Sequence, residues 1–202
     1  MLANAGETGE CDRRCSLETD FKIHKLNQPG TQITEMANVY KKAYRKYPEY
    51  ADTLGKGVFG YLKSFWEESS PEVLVAESKG EMLGFIIVDR CWQIRNKEPL
   101  GEVHEFVIDY EHRGRRLGST LLTAGIDFVE NHGIGKIGLW VGNHNKPAMS
   151  LYKKYDFKKL YSEKKWTKME RHGITKTQGP NRRILTKRMY NELEIPNSRA
   201  AL

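Results

Sequence analysis

The sequence predicts an α/β (α+β) domain: a mixed, largely antiparallel, twisted sheet of about six to seven strands, flanked by helices. Three observations carry this. The alternating run Glu72 to Glu77 meets the apolar run Met82 to Val88 across Ser78-Lys-Gly-Glu81, a turn that makes the two an antiparallel hairpin. The run Glu102-Val-His-Glu-Phe-Val-Ile108 follows after a charged loop, Gln93 to Pro99, and extends the hairpin into a meander. The run Lys136-Ile-Gly-Leu-Trp-Val141 is reached through a helix, and such a crossover implies a parallel partner.

Taken in order, the elements begin with a strand near Phe21 to Leu26. A helix over Gln32 to Lys46 follows, with Ile33, Met36, Val39, Tyr40 and Ala43 at helical spacing. Tyr47-Pro48-Glu-Tyr50 breaks it. Gly55-Lys-Gly57 opens a shorter helix through Phe59, Leu62 and Phe65-Trp66. After the central meander, a helix runs from Leu117 to His132 and stops at Gly133, where glycine accepts the left-handed conformation that ends helices. Lys158 to Met169 alternates as one long strand. Arg182 to Met189 reads as its antiparallel return, with Glu170 to Pro180 as the loop between them. This divides the chain into a flexible leader (1–18), one folded domain (19–190) and a loose tail (191–202).

The 202 residues, 39% of them hydrophobic, suffice for one globular core. No apolar run approaches 18 residues and no charged-then-apolar start is present, so neither a membrane span nor a secretory signal is expected, and a cytoplasmic location is the default. Cys11, Cys15 and Cys91 lack the partners for a disulfide framework or a zinc site, and no metal is expected. The net charge of +7 is uneven: residues 111–190 hold 18 Lys/Arg against 6 Asp/Glu, the remainder 15 against 20. Positive potential there suits an anionic cofactor better than nucleic acid, because it surrounds the motifs described next; the Lys153-Lys154, Lys158-Lys159 and Lys164-Lys165 pairs read as solvated faces.

Strand 102–108 leads through Asp109-Tyr-Glu-His112 into Arg113-Gly-Arg-Arg-Leu-Gly118 and Ser119, at the start of a helix. The first amides of a helix have no internal acceptors and sit at its positive end, so this turn can cradle a pyrophosphate. Further on stands Asn145-Lys-Pro-Ala148-Met-Ser-Leu151-Tyr152-Lys-Lys-Tyr-Asp156-Phe157. Together these closely resemble the acetyl-CoA-binding core of the GNAT superfamily of N-acyltransferases over roughly Thr34 to Tyr190. The family's loop is Arg/Gln-x-x-Gly-x-Gly/Ala, and its later motif is Asn-x-x-Ala-x-x-Leu-Tyr-x-x-x-Gly-Phe. Arg113 and Gly118 match the loop, whereas Arg116 stands where a glycine is usual. Asp156 replaces the glycine that ends the later helix, and Asp is among the few residues that tolerate its left-handed conformation.

The resemblance implies that coenzyme A lies between the splayed strands 102–108 and 136–141. Its pantetheine arm would pair with Phe106, Val107 and Ile108, much as an added strand pairs with a sheet edge. The pyrophosphate would sit on Arg113, Gly114, Arg115, Arg116, Leu117, Gly118 and Ser119, with Asn145 on the arm or a bridging water. Gly138 and Gly142 would mark the splay. Acyl transfer to an amine needs the amine deprotonated, the oxyanion held and the departing thiolate protonated. Tyr152 falls where many family members place the thiolate's proton donor. For the base, Glu102 and His104 share one strand face and match positions used in several branches. Glu105 is the third candidate, provided a bulge swings it inward. The order of preference is Glu102, His104, Glu105, and an amine of low pKa needs no base at all. Tyr47, Tyr50, Phe59 and Trp66 read as core or as the acceptor wall, and His172 and Thr175 as acceptor contacts.

The expectation is therefore an acetyl-CoA-dependent N-acetyltransferase acting by direct transfer on an amine, without a covalent acyl-enzyme. The rivals are a catalytically silent acyl-CoA-binding module and a basic nucleic-acid-binding domain. Family members are frequently dimers, which leaves a homodimer open, with Trp140 and Val141 either at its interface or buried.

Overall fold

The structure is a computed structural model that describes residues 20–26, 30, 32–51, 56–69, 71–95 and 98–173. Its elements are β1 (Lys22–Leu26), α1 (Gln32–Tyr44), α2 (Gly57–Glu68), β2 (Glu72–Ser78), β3 (Glu81–Arg95), β4 (Glu98–Ile108), α3 (Leu117–Asn131), β5 (Lys136–Gly142), α4 (Lys146–Lys154), β6 (Lys158–Glu163) and β7 (Trp166–His172). The seven strands form one sheet in the order β1-β2-β3-β4-β5-β7-β6, in which only β4 and β5 run parallel.

Helices cover both faces. Ile33, Met36, Tyr40 and Ala43 of α1, with Tyr61, Leu62 and Phe65 of α2, pack on Val73, Val75, Phe85, Ile87 and Val107. Leu117, Leu121, Leu122, Ile126 and Val129 of α3, with Tyr152 of α4, pack on Ile86, Val88, Val103, Ile108, Leu139 and Val141. The alternation of neighbouring residues between these two clusters is the period-2 signature of a sheet buried on both sides.

Two helix ends show why the sequence stops them where it does. At Gly133 (φ 84°) the amides of Gly133 and Ile134 return to Glu130 O and Val129 O. At Asp156 (φ 64°) the amides of Asp156 and Phe157 return to Lys153 O and Tyr152 O. Both are the paired bonds of a Schellman cap.

The third edge of the meander and the closing strands differ from expectation. β3 continues to Arg95 instead of ending at Val88, because its far half pairs again with β4 through Gln93↔Leu100 and Arg95↔Glu98 after a register shift. Residues 158–172 form a hairpin rather than one strand. The two-residue turn Lys164-Lys165, with Lys164 in the left-handed region at φ 51°, folds β7 back on β6. His172 thus ends a strand and is not in a loop. Thr175, the run Arg182 to Met189, the leader, Cys11, Cys15 and the tail lie outside the described residues.

Candidate active site

Parallel pairing of β4 with β5 is confined to Gly101↔Ile137, Glu102↔Gly138 and Val103↔Leu139. Beyond Val103 the strands part. Phe106, Val107 and Ile108 keep β3 on one side and present their other edge to the opening, while β5 turns to β7 as far as Gly142↔Trp166. A sheet edge exposed inside the molecule is a ready acceptor for an extended, amide-bearing arm.

The opening leads to the N-terminus of α3. Arg116 is its N-cap and offers no side-chain bond to the first amides. Thr120 N is the first amide to close back, on Arg116 O, which leaves the amides of Leu117, Gly118 and Ser119 at the positive end of a 15-residue helix. The hydroxyls of Ser119 and Thr120 both donate to Arg116 O and stay clear of those amides. Arg116 takes up φ 62°, the left-handed conformation the family's glycine would supply freely, at a cost of about 1–2 kcal/mol for a side-chain-bearing residue. Gly114 (φ 83°) supplies the other positive φ of the loop.

Arg113, exposed like its neighbours, is held at the edge of the cleft by two backbone carbonyls. Its guanidinium donates to Ala43 O (3.1 Å) and Ile108 O (3.4 Å), tying the last turn of α1 to the end of β4. Lys42 reinforces that stitch through buried Asp109 (3.0 Å), and Lys46 through the Tyr110 hydroxyl. Arg115 and Arg116 are exposed. Asn145 caps α4 by accepting from Ala148 N at 3.3 Å. It lines a narrow cleft with Ala43, Tyr44, Tyr47, Phe106, Val107 and Arg113.

Tyr152 is 6% exposed and packs beside Phe106 and Phe157. Burial, then the charge of Glu105, pushes its hydroxyl above the ordinary tyrosine value, so it keeps its proton across the physiological range.

The three carboxylate and imidazole candidates on β4 separate clearly. A register shift, Ile87↔Glu105 followed by Val88↔Val103, leaves His104 as the extra residue of a β-bulge. His104 and Glu105 therefore both face the α1/α2 layer. His104 stands between Phe65 (5.3 Å) and Trp92 (4.5 Å), with its Nε2 3.9 Å from Asp89 and without a hydrogen-bond partner. Burial alone would raise Asp89, but His104 and the Cys91 amide hold it below its usual range. Glu105 is buried and accepts from Tyr61 (2.6 Å) and Tyr44 (3.3 Å). Glu102 is engaged elsewhere: both its oxygens accept from Lys168 Nζ, at 2.6 and 2.7 Å, and both side chains are 5% exposed.

Tyr44 and Tyr61 are the site residues that sequence patterning passed over. Each sits on the buried face of an amphipathic helix, where a tyrosine reads as core; only the helix packing carries their hydroxyls to Glu105. Of the aromatic wall, Tyr50 is buried against Trp166 (5.5 Å), its hydroxyl accepts from His144 N (3.1 Å), Tyr47 lines the cleft, and Phe59 faces solvent. Trp140 is 41% exposed, edge-on to Tyr161, whereas Val141 is buried.

A family model for the acetyltransferase (GNAT) family matches residues 33–157. The chain belongs to the acetyltransferase (GNAT) family. Among relatives, an uncharacterized N-acetyltransferase of Methanocaldococcus jannaschii is 31% identical over 145 residues, covering 71% of this chain and 64% of that protein. A mycothiol acetyltransferase of Acidimicrobium ferrooxidans is 29% identical over 156 residues, covering 72% of this chain and 48% of its own length. The chain therefore spans somewhat less than two thirds and about half of the length of those two relatives. A solved Pyrococcus horikoshii protein is similar at a TM-score of 0.65 and 32% identity, covering 75% of this chain and 98% of its own. The PaiA N-acetyltransferase of Thermoplasma acidophilum, crystallised with coenzyme A, shares the fold at a TM-score of 0.59 and 22% identity, covering 75% and 98%. Among the described residues, no helix is long and apolar enough to cross a membrane.

Proposed function

We propose that this GNAT protein, through a catalytic unit spanning residues 19–190, moves an acetyl group from acetyl-CoA to a primary amine, on a small molecule or a peptide, by direct transfer within a ternary complex. The observation that carries the proposal is the parting of β4 from β5 beyond Val103, beside the uncapped N-terminus of α3. The free edge at Phe106–Ile108 suits the pantetheine arm, and the amides of Leu117, Gly118 and Ser119 suit the pyrophosphate. The cytoplasm, where acetyl-CoA is made and used, is the setting this reading implies.

Bound acetyl-CoA supplies the activated acetyl group. Glu105 takes the proton from the amine, directly or through one water, because it alone of the three β4 candidates sits beside the cleft-lining Tyr44. Glu102 is held by Lys168 and acts as structure. Tyr152, kept protonated by burial, gives its proton to the departing sulfur. Cys91 is half-buried, and burial, then the charge of Asp89, raises its thiol, so it is a poor nucleophile for an acyl-enzyme route.

Calorimetric titration with acetyl-CoA, coenzyme A and ATP tests the first half. Ser119→Glu is the informative loop variant, since an acidic residue in the first turn favours the helix yet repels a pyrophosphate. Saturable acetyl-CoA binding that ATP does not mimic and Ser119→Glu weakens is expected; equal binding by the variant would remove the α3 terminus from the site. An amine screen with Glu105→Gln and Tyr152→Phe tests the second half. Cofactor binding without turnover of any amine would instead favour a silent acyl-CoA-binding module.

A further inference from the structure

Glu105 does not present two equivalent oxygens. Tyr61, from α2, donates to Oε1 at 2.6 Å inside the core, while Tyr44, from α1, donates to Oε2 at 3.3 Å. The first bond is in the short range of charge-assisted O–H···O⁻ contacts; the second is beyond the ordinary range for hydroxyl donors. Tyr61 is itself fixed, edge-on to Phe65 at 5.1 Å and to Tyr40 at 6.1 Å, whereas Tyr44 lines the cleft.

We propose that Tyr61 is a positioning residue that anchors Oε1 of Glu105, that Oε2 is the oxygen that receives the amine's proton, and that Tyr44 is the partner the amine displaces from it. This rests on Glu105 being the base. The bulge at His104 sets this orientation: were His104 an ordinary paired residue, Glu105 would share the face of Val103, away from both tyrosines. Among the titratable groups that feel the carboxylate's charge are Tyr44 on α1, Tyr61 on α2 and Tyr152 on α4. Burial, then the charge of Glu105, drives the Tyr61 hydroxyl far above its ordinary value, so it remains a donor at every working pH.

A donor to the ionised form lowers a carboxyl's pKa, so removing it raises that pKa and moves the acid limb of activity upward. The test is the pH profile of kcat at saturating acetyl-CoA and amine, with thermal unfolding as a check on folding. Tyr61→Phe shifts the acid limb up by about one to two pH units, the equivalent of one hydrogen bond to a charged group. Tyr44→Phe, losing the longer bond, leaves it within about 0.3 unit. If Tyr61→Phe does not fold, 3-fluorotyrosine at position 61 serves instead: it keeps the volume, strengthens the donor and moves the limb down. A limb that stays in place with both replacements, while Glu105→Gln abolishes it, overturns the positioning role and leaves the base intact. Full turnover by Glu105→Gln with an unchanged limb overturns the base assignment itself.

Discussion

Breaking the ion pair between Glu102 and Lys168 is the perturbation whose outcome best separates structure from catalysis on β4. Lys168 Nζ lies 2.6 and 2.7 Å from the two carboxylate oxygens, both side chains are 5% exposed, and the pair presses on Gly138, where a Cβ would stand 2.8 Å from Nζ. Desolvation offsets much of the attraction in such a pair, so its net worth is small. Removing one partner, however, strands a buried charge at a cost of about 3–5 kcal/mol. In a protein of this size each kcal/mol moves the melting point by about 2–4 °C, so Lys168→Met lowers Tm by roughly 10 °C. The double variant Glu102→Leu with Lys168→Met strands nothing and recovers most of that loss, giving a coupling energy of about 2 kcal/mol or more. Urea unfolding at constant m is the assay. Single losses under about 1 kcal/mol, or strictly additive ones, would refute the reasoning. Kinetics supply the second arm: Glu102→Gln loses stability, yet its folded fraction keeps kcat within about threefold of the parent. Lost turnover with an unmoved unfolding midpoint would make Glu102 the base after all.

Three further outcomes follow from the site. Arg116→Gly relieves a left-handed N-cap and raises stability by about 1 kcal/mol, or a Tm gain of about 2–4 °C; a lower Tm would show that the arginine side chain contributes more than its strain removes. Tyr152→Phe lowers kcat by about a hundredfold, and the parent's kcat shows no alkaline fall up to about pH 10, because burial holds that hydroxyl above the usual value. A fall near neutrality that the variant lacks would contradict this. Gly142→Ala drives a Cβ into the ring of Tyr50, costs about 1–3 kcal/mol and breaks the Tyr50–His144 hydrogen bond; an unchanged melting curve and unchanged amine KM would show that the wall yields freely.

Much of the fold was legible because local rules and tertiary packing agreed. Ile33, Met36, Val39, Tyr40 and Ala43 were placed on one helix face by spacing, and all five are buried. Gly133 and Asp156 ended their helices as their backbone tolerance requires. The β6–β7 hairpin was missed because its turn is made by Lys164 and Lys165, residues without turn chemistry of their own; pairing on both flanks holds Lys164 at positive φ.

The sequence by itself determined the order of elements, the loop that opens α3 and the family those motifs imply, since each is written in short-range patterns of glycine, charge and apolar period. It also offered three neighbours on β4 as candidates for the proposed base. Their different surroundings belong to the tertiary structure. Glu102, His104 and Glu105 can each accept a proton, and what sets their surroundings apart is a bulge and the partners that arrive from elsewhere: Lys168 from β7, 66 residues away, Tyr44 from α1, 61 away, and Tyr61 from α2, 44 away. The role of a buried ionisable group is set by what faces it, and contacts over such separations exist only once the chain has packed.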